Sequence, residues 1–347
     1  MRFEAVWGKN PVVTTALETE SEPPPSVGVK RKSVVKGLIK TIRPHQWVKN
    51  LFVAAPMVFH KDLFGTSVAG DPTLNLKVAG KAFLATMVFC LLAGAVYTMN
   101  DLVDVEADRV HPVKRERPIA SGAVPENLAK MFVGLLVLAA FAIALGTLRI
   151  NDGKDLNLAF TACAAIYFIE NIAYSFKLKK VPYLDVGLIA FGFVLRVIAG
   201  GYATETKVSW YMIACTALLA LFLGFGKRRH ELEGEKGGKT RAALEAYSKG
   251  SLTAAMAITG LATVATYIMY TLDAETERFF QTNKLWWTAP FTLFGVFRFL
   301  MLVSGRAGRG RKAESPTQEM LSDVPFVLNL ALWVAVVFAI IYRLRPG

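Results

Sequence analysis

The chain has 347 residues, 53% of them hydrophobic, and a mean hydropathy of +0.38. Apolar residues gathered into long runs exclude an ordinary soluble domain of this length. The formal net charge of +13 would suit nucleic acid, but the cations are distributed like those in the loops of a membrane protein, so no nucleic-acid partner is expected.

Residues 1–40 are rich in Glu, Ser, Thr and Pro, including Pro23-Pro24-Pro25. They read as a disordered tail without a cleavable signal peptide, followed by one membrane domain over 41–347. Nine runs approach the roughly 20 apolar residues that a spanning helix needs. They lie near 46–60, 82–100, 128–148, 157–176, 183–203, 208–226, 251–272, 285–304 and 324–342. The expected fold class is all-α, a polytopic bundle of nine transmembrane helices whose first member is short. Long charged loops, Asp101–Glu126 and Lys227–Gly250, follow the second and sixth helices and suggest two related halves. Asp273–Lys284 is a short outer loop with no assigned chemistry. Ser315–Ser322 is polar and leads to the last helix, with Ser322 or Asp323 as its N-cap.

Of the 40 Lys and Arg, 26 lie in the N-terminal segment and the loops after even-numbered helices, and 10 on the other side. The positive-inside rule then places the N-terminus in the cytoplasm and the C-terminus outside, in a multi-pass protein of the plasma membrane. Cys90, Cys163 and Cys215 each sit in an apolar run and read as core thiols.

Chemistry concentrates at the cytoplasmic ends. Asn100-Asp101-Leu102-Val103-Asp104-Val105-Glu106-Ala107-Asp108 closes the second run. Asp101, Asp104 and Asp108 have the spacing of one helix face. Carboxylates this close to a membrane-length run need a partner or a cation. Oxygen ligands with water access suit Mg²⁺ bridging to a substrate's phosphates. Lys114 and Arg115 follow at once and suit the outer phosphate oxygens. A second cluster, Arg43-Pro44-His45-Gln46-Trp47-Val48-Lys49-Asn50, opens the first helix. Trp47 reads as an interfacial anchor, while Arg43, Gln46, Lys49 and Asn50 are candidates for substrate contact. A third runs from Tyr174 through Lys177 and Lys179 to Asp185, which is placed to meet a lysine or a metal. Arg196, about three turns deeper, either pairs with Glu170 or lines a cavity. The fourth is Gly226-Lys227-Arg228-Arg229-His230-Glu231-Leu232. Its cations favour a helix C-terminus by themselves, and Lys227, Arg228, Arg229 and Glu231 are also candidates for holding a further phosphate. His230 alone makes a weak catalytic base.

Together these clusters resemble the UbiA superfamily of intramembrane prenyltransferases, from about Arg43 to the last helix. Asn100-Asp101-x-x-Asp104-x-x-x-Asp108 is similar to its first acidic motif, and Tyr174-Ser175-x-x-Leu178-Lys179 to its Tyr/Lys turn. The resemblance implies a nine-helix bundle with a lipid-facing cavity capped by cytoplasmic loops. Typical members carry a second Asp-rich motif after helix six. Here Gly226–Leu232 contains no aspartate. One acidic motif opposite a basic patch suits a donor with a diphosphate at one end and a phosphate at the other. The Arg43–Asn50, Asn100–Lys114, Phe193–Gly201 and Gly226–Leu232 stretches resemble the decaprenyl-phosphate phosphoribosyltransferase branch.

That branch implies transfer of 5-phosphoribose from phosphoribosyl pyrophosphate to decaprenyl or another polyprenyl phosphate. Its product leads to decaprenylphosphoryl-arabinose for cell-wall arabinan. Asn100, Asp101, Asp104 and Asp108 would hold Mg²⁺, with Lys49 at the reacting centre. Lys114, Arg115, Lys177 and Lys179 would meet pyrophosphate, and Lys227, Arg228 and Arg229 the 5-phosphate or the lipid phosphate. Membrane lipids are the other partners, and a homo-oligomer is left open. The alternatives are a UbiA-type enzyme joining an isoprenyl diphosphate to an aromatic acceptor and, from another class, an ion-coupled membrane transporter.

Overall fold

A computed structural model describes residues 33–59, 64–66, 72–146, 148–150, 155–234, 244, 246–304 and 316–343. The expected tail lies outside the described residues as far as residue 32. Its last part is a helix instead, α1 (Val34–Thr41). Gly37 and Thr41 are buried, and a Cβ at Gly37 would lie 2.5 Å from Val124 Cγ2. Packing against a loop some 80 residues away orders this segment, and local composition carries no sign of that contact.

The expected first spanning helix is a 3₁₀ helix, Pro44–Ala54, running directly into α2 (Ala55–Phe59). It is not among the eight helices long and apolar enough to cross a membrane. A 3₁₀ helix rises about 2.0 Å per residue, so the 11 residues of Pro44–Ala54 still reach roughly 22 Å. Its crossing with α7 (Leu184–Thr204) is backbone to backbone, because a Cβ at Gly200 would lie 1.9 Å from the Val53 carbonyl oxygen.

After this segment, β1 (Phe64–Thr66) and β2 (Pro72–Leu74) form an antiparallel ribbon. Helix α3 (Leu76–Val103) follows, then the short α4 (Val105–Val110) and α5 (Glu126–Gly146). A second antiparallel ribbon, β3 (Arg149–Ile150) with β4 (Asp155–Leu156), leads to α6 (Leu158–Phe176) and then α7. The second half contains α8 (Trp210–Gly234), α9 (Lys249–Leu272), α10 (Ala274–Phe280), α11 (Ala289–Val303), α12 (Pro316–Ser322) and α13 (Val324–Phe338). Eight spanning helices make this a multi-pass membrane protein. The Asp273–Lys284 segment contains α10, capped by Asp273, whose Oδ2 accepts from Thr276 N at 3.0 Å. Asp323 is the N-cap of α13 and accepts from Phe326 N.

The two largest cores do not divide at the expected boundary between halves, because α7 contributes to both. The first joins α3, α5, α6 and α7 around Val53, Phe89, Phe160 and Tyr167. The second joins α8, α9 and α11 to Val186 of α7 around Phe222, Met256 and Phe299. Helices α3 and α7 are buried over more than half of their apolar windows, whereas α13 is mostly exposed. Lipid tails are as apolar as Leu, so close packing and internal polar contacts hold such a bundle together. Cys90, Cys163 and Cys215 are free thiols.

Candidate active site

The acidic motif does not lie on one unbroken helix. Helix α3 ends at Val103, Asp104 sits at φ −90° and ψ 6°, and α4 restarts at Val105. Backbone bonds from Asp104 N to Asn100 O at 3.0 Å and from Asp108 N to Asp104 O at 2.8 Å carry the helical phase across the break. Asp101 and Asp108 therefore still converge. Arg117 Nη1 donates to Asp101 Oδ1 at 3.1 Å and to Asp108 Oδ2 at 2.7 Å. Arg43 Nη2 adds a 2.6 Å bond to the same Asp101 oxygen. Arg43 reaches it from a left-handed backbone, φ 48° and ψ 64°, at the junction of α1 and the 3₁₀ helix. Its guanidinium lies 5.1 Å from the Tyr97 ring centroid. Asp101 and Asp108 are each 2% exposed, and buried carboxylates without cations are strongly disfavoured. Asn100 and Asp104 are half-buried, and neither side chain hydrogen-bonds to another described residue. Lys114 and Arg115 are exposed.

Arg117 is the partner of the acidic motif that local sequence does not reveal. It closes a run of charges before Pro118, and its relation to Asp101 appears only once the loop folds back.

In the 3₁₀ helix, Gln46 Oε1 accepts from Lys49 Nζ at 3.2 Å and from Tyr97 OH at 3.1 Å. Trp47 Nε1 donates to the Ile42 carbonyl at 3.1 Å. Asn50 turns inward. It is 1% exposed, donates to Cys90 Sγ at 3.2 Å and accepts from Arg196 Nε at 2.9 Å. Arg196 also donates to Tyr167 OH and to the Gly192 carbonyl, each at 2.8 Å. Its guanidinium carbon lies 4.5 Å from the Tyr167 ring centroid. These contacts answer the choice between pairing with Glu170 and lining a cavity: Arg196 ties the 3₁₀ helix to α6 and α7. Glu170 accepts from Asn171 Nδ2 at 2.9 Å. Lys49 lies close enough to Lys227, Arg196 and Arg43 to be influenced by all three charges. The end of α8 thus approaches the segment that also carries Arg43.

At the turn after α6, Tyr174 and Lys179 are half-buried and Lys177 is exposed. None of the three side chains hydrogen-bonds to another described residue, so they remain available to a ligand. Asp185 does not meet a lysine. It is fully buried, accepts from Tyr247 OH at 2.7 Å through Oδ1, and has Arg228 Nε 2.9 Å from Oδ2. That approach is an ion pair too bent to count as a hydrogen bond. Arg228 also pairs with Glu231. Its side chain is 0% exposed, so it offers a ligand no surface. The expected phosphate contact from Arg228 fails on burial, and the same holds for substrate contact from Asp185.

Tyr247 was not anticipated, and no local signal marks it. Burial pushes its hydroxyl well above the ordinary tyrosine range, and the hydrogen bond to Asp185 adds to this, so it remains a donor. It also accepts at 2.6 Å from the backbone N–H of Tyr183, which has φ 64°. Lys227 is half-exposed and lies 3.9 Å from Glu231 Oε1. Arg229 is half-buried and donates to Thr253 Oγ1. His230 is buried.

No cluster of three or more acidic, His or Cys side chains is pre-arranged as a metal cage among the described residues. The donors at the acidic motif are oxygens only, and two of them, Asn100 and Asp104, are uncommitted. Such a set fits a hard divalent cation that keeps water and completes its shell with substrate phosphates.

A family model described as the UbiA prenyltransferase family matches residues 63–234. A decaprenyl-phosphate phosphoribosyltransferase of Mycolicibacterium smegmatis is 34% identical over 341 residues, covering 94% of this chain and 99% of the relative. That of Corynebacterium glutamicum is 32% identical, covering 95% and 92%. A solved structure of a UbiA homologue from Archaeoglobus fulgidus, bound to DMAPP and Mg²⁺, superposes with a TM-score of 0.61 at 19% identity, covering 88% of this chain and 99% of that one. The helical architecture, the acidic motif at the end of α3 and this near full-length similarity lead to one conclusion: the chain belongs to the UbiA prenyltransferase family, in its decaprenyl-phosphate phosphoribosyltransferase branch.

Proposed function

We propose that this enzyme transfers 5-phosphoribose from phosphoribosyl pyrophosphate to a polyprenyl phosphate, decaprenyl phosphate in its named relatives, and releases pyrophosphate. The charge at the end of α8 carries this reading. Gly226–Leu232 has no aspartate, and its half-exposed Lys227 lies near enough to Lys49 to act on it. A cationic site opposite a single acidic motif suits a donor with phosphate at both ends, whereas an isoprenyl diphosphate has only one charged end.

Asn100, Asp101, Asp104 and Asp108 are the residues suited to hold Mg²⁺, and a divalent metal is supported by the Mg²⁺ described for the Archaeoglobus fulgidus neighbour. Bound there, the ion would neutralise charge on the leaving pyrophosphate. Lys114, Arg115, Lys177 and Lys179, all exposed or half-exposed, are assigned to pyrophosphate oxygens. Lys227 and Lys49 are assigned to the far phosphate or the lipid phosphate, with Gln46 and Tyr97 orienting Lys49. Arg228, Asp185, Asn50 and Arg196 hold this frame from behind. The bond from ribose C1 to pyrophosphate breaks, and an oxygen of the lipid phosphate forms the new bond from the opposite face. That oxygen is already anionic near neutral pH, so no general base is needed, and positioning with charge stabilisation supplies most of the rate. The polyprenyl tail would lie against apolar helix faces open to the bilayer. The excess of cations at this end supports a cytoplasmic active site in the plasma membrane.

The test combines purified protein, Mg²⁺, labelled phosphoribosyl pyrophosphate and a polyprenyl phosphate. Lipid-linked phosphoribose and free pyrophosphate are expected. No such product, together with turnover of an isoprenyl diphosphate on an aromatic acceptor, would overturn the proposal.

A further inference from the structure

Arg117 occupies the space where a cation would share the acidic motif. One of its nitrogens lies within hydrogen-bonding distance of carboxylates seven residues apart, 3.1 Å from Asp101 Oδ1 and 2.7 Å from Asp108 Oδ2. Arg43 bonds the same Asp101 oxygen at 2.6 Å, so two guanidiniums balance these two buried carboxylates with no metal present. A Mg²⁺ ion binds carboxylate oxygens at about 2.0–2.1 Å. It could not take the same two oxygens while Arg117 Nη1 lies between them, and like charges would repel. The two occupants exclude one another.

The surroundings of Arg117 allow its side chain to move while its backbone stays in place. The side chain is 28% exposed. Its carbonyl accepts from Ser121 N at 2.9 Å, and Ile119 just beyond is 1% exposed. Swinging outward needs only side-chain rotation.

We infer that Arg117 is a built-in stand-in for the metal. It holds Asp101 and Asp108 together until a metal–diphosphate arrives, then leaves the space between them to the ion and turns to the diphosphate, while Arg43 stays on Asp101. Its role is to position the donor and to keep free divalent ions from filling the motif in advance. This rests on the metal–diphosphate site proposed above, but not on which sugar or lipid the enzyme uses.

The experiment titrates Mn²⁺ against the full chain in nanodiscs of zwitterionic lipid, reading the free-ion EPR signal, first with no substrate and then with inorganic pyrophosphate. Wild type should bind Mn²⁺ weakly alone and far more tightly with pyrophosphate. Arg117→Gln should bind Mn²⁺ about tenfold tighter than wild type when no diphosphate is present, the factor expected for removing one charge-assisted competitor. With pyrophosphate its gain should be smaller than that of wild type. Arg117→Lys keeps the charge without the planar fork, so its tightening should be intermediate, and it decides the matter if the glutamine variant does not fold. A purely structural loss would weaken metal binding or leave it unchanged. Unchanged or weaker diphosphate-free Mn²⁺ binding in the folded variants overturns the inference. Absence of phosphoribosyl transfer with the tightening intact would overturn the proposed reaction instead.

Discussion

Replacing Arg228 with Ala should damage stability before it damages donor affinity. The side chains of Arg228 and Asp185 are both 0% exposed, and Nε approaches Oδ2 to 2.9 Å. Removing the guanidinium leaves Asp185 as a buried carboxylate whose one remaining side-chain donor among the described residues is Tyr247 OH, at 2.7 Å. Removing one member of a buried ion pair costs about 3–5 kcal/mol. The surviving tyrosine bond argues for the lower end, roughly 3 kcal/mol. Asp185→Leu alone should cost less, because Arg228 keeps its pair with Glu231. Arg228→Met combined with Asp185→Leu replaces both charges with apolar groups and should return to within roughly 1 kcal/mol of wild type. The double-mutant cycle would then show strong coupling between the two sites. Unfolding of the reconstituted protein in mixed micelles, followed by tryptophan fluorescence, measures each value. The KM for phosphoribosyl pyrophosphate should change less than threefold in the folded double variant. If Arg228→Ala instead keeps wild-type stability while that KM rises tenfold or more, Arg228 contacts the donor and the brace assignment is wrong.

Gly200→Ala requires the 3₁₀ helix and α7 to part, since the new Cβ would lie 1.9 Å from Val53 O. That displaces the segment carrying Gln46 and Lys49 by about 1 Å, and kcat/KM should fall roughly 100-fold in a protein that still reaches the membrane. Asp101→Asn and Asp104→Asn should each reduce turnover by more than the roughly 10–100-fold typical of residues outside a metal's direct ligands, and chelation with EDTA should abolish activity until Mg²⁺ or Mn²⁺ is restored. Near-normal rates in both variants would remove the metal role. Arg196→Ala loses bonds to Asn50, Tyr167 and Gly192. Interhelical bonds in membrane bundles average near 0.6 kcal/mol each and reach about 1.7, so a loss of about 2–4 kcal/mol in the same unfolding assay is expected.

Run length was enough to read the helical class and all but the shortest of the spanning segments. Burying apolar runs and keeping cations in loops are requirements that each stretch of sequence meets by itself. The acidic motif was legible for the same reason, because Asp101, Asp104 and Asp108 sit together in the chain and need a cation wherever they fold. Partner choice depended on tertiary structure. Arg228 and Arg229 are adjacent in sequence and alike in chemistry, yet Arg228 is sealed against Asp185 while Arg229 reaches Thr253. Tyr247 braces Asp185 from 62 residues away, and Arg43 meets Asp101 across 58. Pairs so distant have no local periodicity to reveal them. The chain alone places several cations near three carboxylates, and the packing of α1, α3 and the loop through Arg117 decides which of them neutralise those carboxylates and which remain available for phosphate.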